Sequence, residues 1–114
     1  MPLFGSSEQL VKEAEEIAKQ LGKVKTHQLR RIYSQVSSIY HQSEQNFGDA
    51  KSRLVLLKPQ LAYAKSRNPH LKPLTERLIN LIGQVRDDTE NLKEFYQFVQ
   101  SVVAYHKEER REER

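Results

Sequence analysis

The chain has no cysteine and no tryptophan, and only four glycines and four prolines in 114 residues. Without cysteine there is no disulfide, no thiolate nucleophile and no cysteine-ligated zinc, a composition that fits a reducing compartment. The longest aliphatic run is Leu54 to Leu57, so no segment reads as spanning a membrane. No basic stretch followed by an apolar block opens the chain, so no signal peptide is expected, and the expected location is cytoplasmic.

The signatures of catalysis are missing too. None of the four histidines has a helical i, i+4 partner of metal-ligand type. There is no phosphate-cradling glycine loop, and no serine sits in a nucleophile-elbow context. Asp87 and Asp88 are adjacent carboxylates, but their place before a helix explains them as charges that suit its positive end. His106 falls on the inward stripe of the last helix and reads as a packing residue. The expectation is therefore no enzyme activity, no catalytic residue, no metal, no cofactor and no small-molecule substrate.

What the chain has is charge, unevenly spread. The net charge is +4. Residues 17–86 carry thirteen basic and three acidic side chains, net +10, while residues 1–16 and 87–114 each carry −3. A surface that only keeps a protein soluble intersperses its signs. Concentrated positive charge points to a polyanion such as nucleic acid.

Apolar periodicity predicts an all-α domain over 1–114: a single bundle of five helices and no strand, with 1–6 and 108–114 frayed or disordered. The first helix runs from Ser7 to Gln20, with Ser6 and Gln9 resembling a capping box and Gly22 marking its end. The second starts at the N-cap Thr26 and reaches about Asn46, with Leu29, Ile32, Tyr33, Val36, Ile39 and Tyr40 on one stripe. The third begins near Asp49 and ends at Asn68-Pro69, kinked or broken in two at Pro59, which crowds the Val55 carbonyl. The fourth spans about Leu71 to Arg86, with Pro73 in its first turn. The fifth runs from about Thr89 to Lys107, and its apolar arc is wide enough for a central helix. Leu29, Val36, Leu57, Leu61, Phe95 and Val99 are the expected core.

Two helical faces stand out. On the third helix Leu54, Leu57, Leu61 and Ala64 share one face. Lys51, Lys58 and Lys65 recur every seven residues beside it, with no acid between them in the sequence. Their ammonium groups would then lie about 10 Å apart. On the second helix the face opposite the core carries His27, Arg30, Arg31, Ser34, Ser38 and His41, with no acid before Glu44. Small hydroxyls among cations suit phosphate and ribose contacts. Arg30, Arg31, Lys51, Arg53, Lys58, Lys65 and Arg67 are the candidate nucleic-acid-binding residues. Such scattered cations favour backbone tracking over base reading.

Three segments together resemble one family, the small helical subunit of type III-A CRISPR effector (Csm) complexes. The first is Lys25-Thr26-His27-Gln28-Leu29-Arg30-Arg31-Ile32-Tyr33, similar to the family's Thr-x-Gln-Leu-Arg-Lys-Phe-Tyr block. The second is Leu57-Lys58-Pro59-Gln60-Leu61-Ala62-Tyr63-Ala64 followed by Arg67. The third is Phe95-x-x-Phe98 leading into Val102-Val103-Ala104-Tyr105-His106-Lys107. The chain departs from the family at Lys65-Ser66, where Ala-Gly is common, and at Gln100-Ser101, where Glu-Ala is common.

The resemblance implies a non-catalytic RNA-binding scaffold subunit of an antiviral effector complex. Its implied partners are guide RNA, target RNA, the other subunits and copies of itself stacked along the duplex. Target cleavage would belong to another subunit. Two other readings fit the residues: a helical adaptor that binds no RNA, and a helix-turn-helix DNA binder using Gly22 to Thr26 as its turn.

Overall fold

The computed structural model describes residues 2–86 and 88–112, with side chains described through Lys107. Asp87 lies outside the described residues. Ser6 opens the first helix, α1 (Ser7–Gln20): its Oγ accepts the Gln9 N–H at 3.1 Å, one of the donors a helix start leaves unpaired. No residue here or elsewhere in the described chain takes a positive φ, so Gly22 does not end α1 in the left-handed conformation. The chain tightens instead, Leu21 N–H to the Ala18 carbonyl at 3.1 Å and Val24 N–H to the Leu21 carbonyl at 2.9 Å. His106 completes this stop. Its Nε2 lies 2.8 Å from the Val24 carbonyl and 3.1 Å from that of Leu21, so Nε2 carries the proton and donates. The ring is buried, as a packing residue would be, although its Nδ1 has no hydrogen-bond partner.

The second helix, α2 (Thr26–Ser43), is capped one residue before the expected Thr26, which becomes its first helical residue. Lys25 holds the N-cap position and its N–H donates to the Gln28 Oε1 at 3.3 Å, half of a capping box. The third, α3 (Phe47–Arg67), is capped by Asn46, whose Oδ1 accepts the Asp49 N–H at 3.0 Å, so Asp49 sits inside the first turn. Of the two outcomes expected at Pro59, the break does not occur: α3 runs through it as one helix. Asn68 then ends α3 and caps a short 3-10 turn, Pro69–Leu71, by accepting the His70 N–H at 3.1 Å. From that turn α4 (Lys72–Gln84) follows, with Pro73 in its first turn where the missing donor costs nothing. Before α5 (Thr89–Glu112), Asp88 accepts the Glu90 N–H at 2.9 Å.

The described chain is thus an all-α bundle of five α-helices. The helix α5 lies between α1 and α2, while α3 packs on α2 and α4. Phe95, Phe98, Val99 and Val102 are buried from both sides, which accounts for the wide apolar arc of α5. All six expected core residues, Leu29, Val36, Leu57, Leu61, Phe95 and Val99, are buried. Because α1 and α2 each pack on α5, the two helices around Gly22 are not a packed helix-turn-helix pair.

The segment before α1, expected to fray, is tied to α5. The N–H groups of Leu3 and Phe4 donate to Glu94 Oε2 at 2.8 and 3.1 Å, and Phe4 stacks on Phe98 with centroids 5.1 Å apart. Arg77 of α4 covers the Phe4 ring at 5.7 Å and grips Glu13 of α1 with two nitrogens. At its other end α5 continues to Glu112, past the expected Lys107. No described helix is long and apolar enough to cross a membrane.

Candidate nucleic-acid interface

The interface is built on α3. Ala50, Leu54, Leu57 and Leu61 point into the core and fix how the helix is rotated. At about 100° per residue, everything seven positions apart falls on one line. Two such lines flank the buried face. Lys51, Lys58 and Lys65 form one, on the α4 side; Arg53, Gln60 and Arg67 form the other, on the α2 side.

Side-chain interactions bear out the two sides. Lys65 Nζ lies 3.4 Å from Glu76 Oε2 of α4. The lysine line is therefore not wholly uncompensated: the sequence places no acid between these lysines, and the fold supplies one from another helix. Lys51, Lys58 and Lys65 are each half-buried, their stems lying along the core edge while the ammonium groups reach out.

On the other side Arg53 reaches α2, donating to Gln42 Oε1 at 2.7 Å and to Ser38 Oγ at 3.1 Å. One rung on, Gln35 Nε2 donates to Gln60 Oε1 at 2.8 Å. At the end, Asn68 Nδ2 donates to Gln28 Oε1 at 3.1 Å. Gln28, Gln35 and Gln42 are themselves seven residues apart, so the antiparallel helices are joined by a polar ladder with two turns between rungs. Sequence reading missed this ladder. The matching seven-residue spacings of Gln28, Gln35, Gln42 and of Arg53, Gln60, Arg67 were the available signal.

Above the ladder lies a groove of about 670 Å³. Arg31 of α2 and Arg67 of α3 line it, with Tyr63 and the amides of Gln28, Gln35 and Gln60, over a floor that includes Ile32 and Leu61. No acidic side chain lines it. Arg67 Nη1 donates to the Tyr63 hydroxyl at 2.9 Å, and its guanidinium carbon is 5.8 Å from the ring centroid.

The seven candidate residues thus divide into three sets. Arg31, Arg53 and Arg67 belong to the α2–α3 groove and ladder; Lys51, Lys58 and Lys65 lie on the opposite flank of α3; Arg30 is exposed on α2, one residue round from Arg31. The surface between the flanks carries Val55, Leu56 and Tyr63, the last two each 62% exposed. So α3 presents an apolar and aromatic crest between two lines that hold five cations.

Among the described residues no three His, Asp or Glu side chains gather as a metal site would. The carboxylates of Asp88, Glu13 and Glu94 are engaged as helix cap, ion-pair partner and N-terminal anchor.

No curated protein and no solved structure matches the chain. A family model does: the model of Csm2 of type III-A matches residues 5–112, which takes in all five helices, both flanks of α3 and the groove. The chain belongs to the Csm2 family, the small subunit of type III-A CRISPR effector complexes.

Proposed function

We propose that this chain is a non-catalytic, cytoplasmic scaffold that binds RNA by its backbone, several copies stacking along the guide–target duplex of the effector complex beside the other subunits. The observation that carries the reading is the distribution of charge on α3. Five cations, Lys51, Arg53, Lys58, Lys65 and Arg67, flank its solvent crest, and the acid within the helix is Asp49 in its first turn. Arg30 and Arg31 extend the same field onto α2. A rigid rod with cations at two-turn intervals suits a polymer with regularly spaced phosphates. One copy offers few phosphate interactions, so stacked copies supply the affinity by avidity.

The test compares two charge reversals in assembled particles of equal composition. Lys58→Glu, at the middle of the lysine line, is expected to weaken RNA binding far more than Lys12→Glu on the acidic α1. Equal affinities would remove the α3 lysines from the RNA track and return them to the role of solubilising flanks.

A further inference from the structure

Backbone holding accounts for the arginines of the α2–α3 groove but not for its other contents. The α2–α3 groove, about 670 Å³, falls within the size range of small-ligand pockets. Its contents are not those of a phosphate track alone. Tyr63 is a large aromatic left 62% exposed, and no other ring in the described structure packs against it. Its orientation is fixed all the same, because Arg67 holds its hydroxyl. A ring held at its hydroxyl, with the Arg67 guanidinium 5.8 Å from its centroid and no other ring against it, is a stacking platform.

The amides add a second element. Each side-chain amide has an NH2 group and a carbonyl oxygen. The Gln35–Gln60 rung uses the Gln35 NH2 and the Gln60 carbonyl, so that bond leaves the Gln35 carbonyl and the Gln60 NH2 for other partners. A free base edge presents a donor beside an acceptor. Arg31 and Arg67 supply the positive charge at the rim, and the lining contains no acid that would repel a phosphate.

We propose that the α2–α3 groove receives one unpaired nucleobase turned out of the RNA, stacked on Tyr63 and met at its edge by Gln35 and Gln60, with Arg31 and Arg67 on the adjoining phosphates. This rests on the RNA-binding reading and extends it from the backbone to a base. Arginines alone would suit an acidic peptide equally well; the exposed aromatic ring and the paired amides favour a base. Another concavity, between the N-terminal segment and α5, contrasts with it: Glu90 and Glu94 line that one, and its aromatic, Phe4, is buried.

The test uses the full chain at low salt with two RNA duplexes of the same sequence, one fully paired and one carrying a single unpaired 2-aminopurine. Tighter binding of the bulged duplex is expected, with a change in 2-aminopurine fluorescence as the base stacks. Tyr63→Ala should remove that preference, a loss of about 5- to 150-fold on the bulged duplex, the range for one stacked base. Tyr63→Phe keeps the ring and should keep the preference. Lys58→Glu should weaken both duplexes alike. Equal wild-type affinity for both duplexes, with Lys58→Glu still harmful, would overturn the base site and leave the backbone reading standing. Failure to bind either duplex, in the assembled particle as well as in the isolated chain, would overturn both. Displacement of the bulged duplex by poly-glutamate with no dependence on Tyr63 would assign the groove to an acidic polypeptide instead.

Discussion

At the scale of single residues the structure separates side chains that hold the bundle from those that face outward. Leu61 is 1% exposed on the inner face of α3. Leu61→Ala removes buried methyl groups and leaves a cavity, and should cost about 2–5 kcal/mol in denaturant unfolding. A loss below about 1 kcal/mol would show that this face is not core. Tyr96 offers a test in pH. Its hydroxyl lies 3.2 Å from that of Tyr33, and its ring stacks on Tyr40 with centroids 4.6 Å apart. The hydrogen bond with Tyr33 and then burial raise its pKa above the ordinary tyrosine value. A raised value favours the neutral phenol in the folded state. Its contribution is therefore fully present below the unfolded-chain pKa of about 10 and is lost as pH rises through the folded one. Stability should decline on the alkaline side of that value. Tyr33→Phe should let Tyr96 titrate closer to it, as followed by ultraviolet absorbance; identical titration of the two proteins would mean the Tyr33 hydroxyl does not hold the proton on Tyr96.

At the scale of elements α3 is the informative case. Pro59 lies inside it without ending it. Proline there removes a backbone donor and crowds the preceding turn, about 3 kcal/mol worse than alanine in a helix interior. Proline also restricts the unfolded chain, which offsets part of that penalty. Pro59→Ala should therefore raise stability by about 1–3 kcal/mol; a loss would mean that the packing on α2 and α4 requires the local geometry proline imposes. The helices were legible because their apolar stripes are unbroken, and α1 and the start of α5 fall where the periodicity puts them. The ends were less so. Gly22 marks where α1 stops, but the stop is made by backbone bonds at Leu21 and Val24 and completed by His106, far away in sequence, and no local rule anticipates that last bond. Of the interface, the lysine line was legible as a seven-residue repeat. The ladder and groove were not, because they exist only once Gln28, Gln35 and Gln42 are set antiparallel to Arg53, Gln60 and Asn68. The compensation of Lys65 by Glu76 was hidden for the same reason.

At the scale of the whole molecule the question is how much of the +10 held by residues 17–86 is free to meet a polyanion. Some of it is neutralised inside the fold: Arg77 grips Glu13, and Lys65 meets Glu76. The second pair is substantially exposed, 36% and 51% at the two side chains, and exposed pairs contribute little to stability. Its consequence lies in binding. A lysine with a carboxylate 3.4 Å away offers a phosphate less than a full charge, so on the lysine line Lys58 should neutralise a phosphate fully and Lys65 only in part. Removing one cation from a phosphate lowers the slope of log affinity against log salt by about 0.7–0.9. Lys58→Gln should show that whole decrement, and Lys65→Gln a smaller one. Glu76→Gln should act in the opposite direction. It frees Lys65, tightens RNA binding and steepens the salt dependence by no more than the same decrement, with little change in unfolding free energy. The gain should vanish in the Glu76→Gln, Lys65→Gln double variant, because the carboxylate acts through that lysine. If Glu76→Gln leaves both affinity and slope unchanged while Lys65→Gln is also silent, RNA does not run along the α4 flank of α3, and the backbone is held by the arginine side alone.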